Sequence, residues 1–397
     1  MKISFIQPSR NNLKYLKWSY DSIRKNQGNH DVEICVADDF SDKDSTWQWC
    51  QEIMKVDSNF KAIRNEGPTR LGHTILYDKL VNEVSTADIC MIYHADMYLC
   101  PGALDYIEKY IDSKKIVSLT RIEPPLHPDG PEKVLYDWGT EPEFFNEDEF
   151  LKWFSSNNGF KGNDVTEGIF APWAFMKSDF QEIGGHDPLY APQSKEDSDI
   201  FNRLQLNGVQ FIQTWKGCVY HMTCRGSRFN PELTTPGQNS PEWEAQNYRS
   251  TRNFIRKWGH FVKHDAFMKP IIPHKYNVSA VIHNCNSQLL ELLEPWFMNV
   301  YVRNNYGFNW VEYCDMEQSN TTYDLRKRVH DIEDYISGDI TIEFDAKKFT
   351  QQSFNIIQTL SEIITDSGEL GEFELDIFKI NITNLQTYEK DLIICNK

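Results

Sequence analysis

The sequence predicts an α/β protein: a mostly parallel sheet flanked by helices, followed by a smaller α+β domain. Three observations carry this expectation. Short apolar, β-rich runs alternate with stretches of helical periodicity through the first part of the chain, the pattern of parallel βαβ units. Two of these runs end in carboxylates, Asp38-Asp39 and Asp96, at the strand tips where open α/β sheets gather ligands. A separate set of strand-like and helix-like segments then follows Pro270 and Pro273, and the 397 residues suffice for two domains.

Residues 2–7 read as a buried strand. Leu13, Leu16, Tyr20 and Ile23 recur at helical spacing and predict a helix over 11–25. Strand 32–37, helix 46–54, short strand 61–64, helix 72–84 and strand 89–93 continue the alternation. Pro124-Pro125, Pro128, Gly130 and Pro131 break it, so 121–165 reads as an insertion over one face with a short helix at 148–154. The pattern resumes at 168–171. A short helix at 178–183 precedes Gly184-Gly185. A helix at 197–207 opens with acidic residues, which suit its positive N-terminus. Strands at 210–213 and 218–220 lead to an amphipathic helix at 241–257. Beyond the prolines come strand 278–283, helix 287–294, strand 340–344, helix 351–364 and strand 373–380. The expected domains are 1–265, with 121–165 as an insertion and 240–258 as a helical extension, and 275–397. No internal repeat or low-complexity tract interrupts them.

Net charge is -17 with 40% hydrophobic and 25% charged residues, and the pI is near 5.1. This balance supports a packed core and argues against nucleic acid as partner, because its phosphates would be repelled. It argues equally against an anionic membrane surface. A sugar diphosphate stays compatible, because one bound metal ion reverses the local field. No run approaches the ~20 apolar residues of a membrane span. The opening Met1-Lys2-Ile3-Ser4-Phe5-Ile6 is too short and too soon polar for a secretory signal. Nine cysteines, an odd number without a CxxC pair, point to reduced thiols and a cytoplasmic location.

The most informative stretch is Cys90-Met91-Ile92-Tyr93-His94-Ala95-Asp96-Met97, an apolar run ending in a carboxylate. Asp96 suits a divalent cation held against a diphosphate. The alternative is an Asp capping the helix that opens near Pro101. Around it lie Ile6-Gln7-Pro8-Ser9-Arg10-Asn11 after the first strand and Val36-Ala37-Asp38-Asp39-Phe40-Ser41-Asp42 after the second. Pro101-Gly102-Ala103-Leu104, Gly184-Gly185-His186-Asp187, Glu196-Asp197-Ser198-Asp199 and Val219-Tyr220-His221 follow. Each motif is short, but their order and spacing over residues 1–230 resemble the family 2 glycosyltransferases of GT-A fold. The C-terminal domain has no such resemblance.

The resemblance implies roles. Pro8, Ser9 and Arg10 would line the base, with Arg10 standing where the family often has an aromatic residue. Its guanidinium plane could stack on the base. Asp39, with Asp38, would accept hydrogen bonds from base or ribose. Arg70 would fork onto the diphosphate. Asp96 would be a metal ligand, joined by His221. His94 replaces the first Asp of the family's Asp-x-Asp and would be a ligand, a ribose contact or a packed side chain. Such a donor set suits Mn²⁺ at least as well as Mg²⁺. Asp197 would be the general base, with Glu196 and Asp199 as neighbouring alternatives to it and helix capping as the structural one. Trp173 and Trp138 would offer indole faces to donor or acceptor sugar, or pack in the core.

The implied activity is metal-dependent, inverting transfer of a sugar from a nucleotide-diphosphate donor to a hydroxyl acceptor on a glycan, lipid-linked sugar or other molecule. UDP-sugar is favoured, with GDP and dTDP sugars open. A non-catalytic sugar-nucleotide or glycan-binding protein of the same fold is the alternative that His94 favours. Gly67-Pro68-Thr69-Arg70-Leu71 is also similar to a nucleotidyltransferase loop, but such a loop follows the first strand and this one follows the third.

Overall fold

The computed structural model describes residues 1–157, 164–223, 238–305 and 307–395; 158–163, near the end of the expected insertion, lie outside the described residues. The chain divides into two compact units. One comprises 1–245, 264–270 and 394–397, the other 246–263 and 271–393.

The first unit runs β1 (Lys2–Ser9), α1 (Leu13–Asn26), β2 (Asp31–Asp39), α2 (Thr46–Val56), β3 (Phe60–Asn65), α3 (Gly72–Lys79), β4 (Ile89–Ile92), β5 (Met97–Leu99) and α4 (Ala103–Tyr110). It continues through β6 (Lys115–Glu123), β7 (Lys133–Leu135), α5 (Glu147–Asn157), β8 (Val165–Thr166), β9 (Trp173–Met176), α6 (Lys177–Glu182), α7 (Glu196–Leu206), β10 (Gln210–His221) and the start of α8 (Pro241–Trp258). The sheet order is β3-β2-β1-β4-β9-β6-β10-β5, with β7 on β6 and β8 on β10. The β3-β2-β1-β4 half is parallel. β9 enters antiparallel between β4 and β6, and β5 closes the order antiparallel to β10. This is a mixed sheet flanked by helices.

The alternation reads correctly because its strands are buried on both faces. Ile3 and Phe5 of β1 share a core with Val32, Ile34 and Val36 of β2 and with Leu16, Ile23, Trp49, Leu104 and Ile107 of α1, α2 and α4. Each such side chain contributes about 1.5–3 kcal/mol by leaving water. On β9, Trp173 meets Phe201 of α7, and Phe175 meets Phe180 of α6. The segment 72–84 ends its α-helix at Lys79 and closes with a π-type turn, Leu80–Val84. The two strands expected at 210–213 and 218–220 are one strand, β10, with a bulge between Thr214 and Cys218.

In the second unit β11 (Val278–His283), α9 (Ser287–Leu293), β12 (Asn299–Val302), α10 (Trp310–Glu317), β13 (Val329–Asp331), β14 (Ile340–Asp345), α11 (Gln351–Gln358), α12 (Leu360–Ser367), β15 (Gly371–Leu375) and β16 (Phe378–Ile382) form a smaller mixed sheet. Its order is β13-β12-β11-β14-β16-β15. The expected strand 373–380 is a hairpin, because Asp376 takes a left-handed backbone (φ 54°) and reverses the chain. The helix assigned from sequence to the first domain divides between the units. Its second half carries Arg256, which donates to the buried Glu294 carboxylate at 3.0 and 2.7 Å. Arg328 and Tyr313 complete that site at 3.0 Å each.

Among the described residues, no helix is long and apolar enough to cross a membrane. Of the described cysteines, Cys35, Cys50, Cys90, Cys100, Cys218, Cys285 and Cys314 are buried and form no disulfide.

Candidate active site

After β4 the chain turns at once. The Met97 N–H donates to the His94 carbonyl (3.3 Å), and the Gln7 amide braces that carbonyl from β1 (3.4 Å). His94 and Asp96 therefore belong to one tight turn. β5 then pairs with β10 so that Met97 lies opposite His221, and the Met222 N–H donates to the Asp96 carbonyl (3.0 Å). This register puts His221 beside Asp96, with Nε2 3.4 Å from Oδ1. The His94 and His221 rings lie 5.7 Å apart. One possible ligand atom from each of His94, Asp96 and His221 lies within 4.8 Å of the other two. That is little more than twice a metal–ligand bond of roughly 2.1–2.3 Å. Asp96 does not cap the following helix; Gly102, at φ 75°, holds the N-cap of α4.

Burial alone would lower the His221 imidazole, but Asp96 and Glu123 hold it up at about 9. The same burial disfavours an ionised Asp96, yet the His221 charge outweighs it and the carboxyl lies below its ordinary value. His94, half-buried and beside that positive ring, is pushed down to about 3. The cluster thus has one ionised carboxylate and one neutral imidazole ready to donate electron pairs, and a second imidazole whose proton a cation would displace.

The first turn of α7 supplies a second group of carboxylates. Ser194 and Lys195 both adopt left-handed backbone (φ 80° and 71°), a conformation costing about 1–3 kcal/mol for each such residue and concentrated at functional sites. They turn the chain so that Glu196 and Asp197 open the helix. Gly72, at φ 74°, makes the approach from α3 possible: a Cβ there would lie 2.1 Å from the Pro192 carbonyl oxygen.

Tyr77, on α3, responds to the charge of both groups. Burial pushes its hydroxyl well above the usual value, and Asp197, Glu196 and Asp96 push it further. All three carboxylates thus act on one phenol through their charge. Burial raises both Asp197 and Glu196, and Asp197 raises Glu196 again. His186 and Arg121 act against burial at Asp197. His186 is fixed by Asp78 (Nδ1 to Oδ1, 2.8 Å) and stacks on Tyr77 with ring centroids 5.5 Å apart.

At the tip of β2, Asp39 accepts from the Leu71 and Gly72 N–H groups (3.0 and 2.9 Å) and from Asn65 Nδ2 (2.8 Å). It anchors the N-terminus of α3, a use of carboxylates that the helix dipole favours. Arg70 Nε stands 3.8 Å from the same carboxylate. Asn11 ties the β1–α1 and β2–α2 loops together through Ser41, Asp42 and Lys43. His73, one residue beyond Gly72, is pushed down to about 4 by burial and Arg70, against the pull of Asp39 and Asp96.

A scan against protein-family models matches residues 4–184 to "Glycosyl transferase family 2". Residues 4–184 form a family 2 glycosyltransferase domain. A sequence comparison with curated proteins found no match. Similar solved structures include GalNAc-T7 with UDP, GalNAc and Mn²⁺, at 16% identity over 65% of this chain and 48% of that one, with a TM-score of 0.47. S. aureus TarS 1–349 is 16% identical over 64% of each chain, with a TM-score of 0.42. The mannosyltransferase PcManGT from Pyrobaculum calidifontis in complex with GDP-Man and Mn²⁺ is 16% identical over 68% of this chain and 67% of that one, with a TM-score of 0.44. The chain spans less than two thirds of the first two.

The glycosyltransferase domain places the residues singled out in the sequence unequally. His94, Asp96 and His221 converge, and the charges of Glu196, Asp197 and Asp96 all raise the Tyr77 hydroxyl. Trp173 does not serve as a sugar platform: it is wholly buried against Phe175 and Phe201. Asp38 is likewise wholly buried, accepting from the Ser41 N–H (3.1 Å) beside Arg64 (3.3 Å), and holds a corner of β2. Pro8 and Ser9 are the buried last residues of β1, not a loop. Pro8 is tolerated there because β4 leaves the ladder at Ile6. Arg10 is half-buried, its Nε 3.5 Å from the Phe40 carbonyl. Trp138 stacks on the exposed Tyr136 at the edge of an aromatic cluster with Phe150 and Trp153.

His73, Tyr77, Arg121, Glu123 and His186 were missed as site residues. His186 lay inside a quoted motif, and Lys115-Ile116-Val117-Ser118-Leu119-Thr120 is a β-rich run that would have led to Arg121 and Glu123.

Proposed function

We propose that this chain is a metal-dependent, inverting glycosyltransferase that moves a sugar from a nucleoside-diphosphate donor, with UDP-sugar favoured, to a hydroxyl acceptor. The observation that supports it is the convergence of His94, Asp96 and His221 ligand atoms within 4.8 Å in a domain where the α7 carboxylates and Asp96 all raise the Tyr77 hydroxyl through their charge. Two imidazoles with one carboxylate fit Mn²⁺ at least as well as Mg²⁺. His94, Asp96 and His221 would hold the ion, and it would offset charge growing on the departing diphosphate.

The chain's own residues supply the remainder. Arg70 and Arg10 would meet the diphosphate and base, Arg70 through its planar fork. Asp39 would accept hydrogen bonds from ribose or base N–H and O–H donors through its remaining lone pairs. Asp197 would take the proton of the acceptor hydroxyl as that oxygen bonds to the anomeric carbon and the bond from carbon to diphosphate oxygen breaks. Help of this kind is worth roughly 10²–10⁴ in rate. Attack from the face opposite the leaving group inverts the centre.

The test is incubation of the chain with UDP-, GDP- and dTDP-sugars in Mn²⁺ or in chelator, measuring sugar release. The expected result is slow, Mn²⁺-dependent cleavage of a UDP-sugar without acceptor. Binding of the sugar nucleotide with no cleavage, with or without sugar acceptors, would favour a non-catalytic binding protein. Consumption of a nucleoside triphosphate with release of pyrophosphate would favour a nucleotidyltransferase.

A further inference from the structure

The insertion after β6 returns as β7, which pairs with the end of β6 so that Arg121 lies opposite Lys133 and Glu123 opposite Leu135. The Tyr136 N–H then donates to the Glu123 carbonyl (2.8 Å). Glu123 closes β6 with a side chain only 2% exposed. Its Oε1 lies 2.7 Å from His221 Nδ1 and 3.2 Å from Arg121 Nε. Its Oε2 lies 3.4 Å from Lys133 Nζ. Arg121 reaches Glu132 at 2.8 Å and Lys133 reaches it at 3.7 Å, and the guanidinium packs over Phe170 at 4.0 Å. Two carboxylates and two cations are thus buried together. A buried carboxylate persists as an anion only when paired in this way.

An anionic Glu123 accepts the Nδ1–H of His221 and leaves Nε2 pointed toward Asp96. Metal-ligating histidines are commonly held so by a carboxylate, which fixes the tautomer and the ring. We propose that Glu123 is a positioning residue for the cation site, aiming His221 Nε2 at the ion shared with His94 and Asp96, and that β7 of the insertion keeps it in place through Lys133. This rests on the metal-dependent reading above. It also gives the insertion a role apart from acceptor contact: it completes the support of a cation ligand.

Calorimetric titration of Mn²⁺ into the full chain tests this, using wild type, Asp96→Ala, His221→Ala, Glu123→Gln and the double variant His221→Ala/Glu123→Gln, with thermal unfolding as a check on folding. Glu123→Gln is expected to weaken Mn²⁺ about 10–100-fold. It should cost less than about twofold when His221 is already alanine, because coupled residues are not additive. Electron spin echo of the bound Mn²⁺ should show imidazole nitrogen modulation that weakens in Glu123→Gln. Where that variant does not fold, Lys133→Met should weaken Mn²⁺ several-fold with the same dependence on His221. Unchanged affinity, or equal losses with and without His221, would overturn the inference. Wild-type binding that is absent, or indifferent to both Asp96→Ala and His221→Ala, would overturn the metal reading and this inference with it.

Discussion

His221 Nε2 lies 3.4 Å from Asp96 Oδ1, although 125 positions separate the two residues in the chain. Strand register creates this contact. Met97 pairs with His221 across β5 and β10, and the bulge between Thr214 and Cys218 sets where β10 ends. A one-residue slip would send the imidazole to the other face of the sheet.

Asp197→Asn should abolish most transfer while leaving nucleotide affinity intact. The amide keeps the shape of the side chain but accepts no proton. A loss of about 10²–10⁴ in kcat is expected, with the dissociation constant for UDP unchanged by calorimetry. Normal transfer by the variant would remove Asp197 from the role of base.

The rate should also fall on the acid side sooner than an ordinary carboxylate would cause. Burial raises the Asp197 pKa above its usual 3.8. A base works only when deprotonated, so activity is present above the raised value and is lost as pH falls through it. The profile of kcat/KM against pH reads this directly. An acid limb at or below the ordinary value would contradict the burial argument.

Arg70→Lys should weaken UDP without affecting uridine. Arg70 Nε stands 3.8 Å from Asp39 Oδ2 at the start of α3, and a lysine keeps the charge but loses the planar fork. Losing one charge-assisted bond costs about 1.5–3 kcal/mol, roughly ten- to a hundredfold in affinity. Equal losses for UDP and uridine would place Arg70 at the base and not the diphosphate.

Stability of the second unit should depend on Glu294. Burial opposes its charge, but Arg256 and Arg328 outweigh that and lower it to about 2. A carboxylate with a depressed folded value stabilises above its unfolded pKa, and that contribution is lost as pH falls from about 4.3 through about 2. Glu294→Gln should lower stability near neutral pH by about 3–5 kcal/mol by leaving buried guanidinium groups unpaired. It should also flatten the acid limb of thermal unfolding for that unit. An unchanged acid limb would refute the linkage.

The parallel half of the sheet was legible because its strands are buried runs with helices between them. The short strands were not: β5 has three residues and β9 four, too few to show a period. The His94, Asp96 and His221 cluster was readable from residue type and chain order. Trp173 was not, since nothing local tells a core tryptophan from one lining a pocket. Asp38 and Asp39 are adjacent, yet one is wholly buried and the other caps α3, because neighbours on a strand face opposite ways. Glu123 escaped notice because its partners, His221 and Lys133, meet it only through sheet pairing.

The most direct test of the cation site is calorimetric titration of UDP into the full chain with and without Mn²⁺, for wild type and Asp96→Ala. Mn²⁺ should tighten UDP at least about tenfold in wild type, one ligand interaction of about 1.4 kcal/mol or more, and have no effect in the variant. UDP affinity that ignores Mn²⁺ in wild type, or responds equally in both proteins, would contradict a cation held by His94, Asp96 and His221.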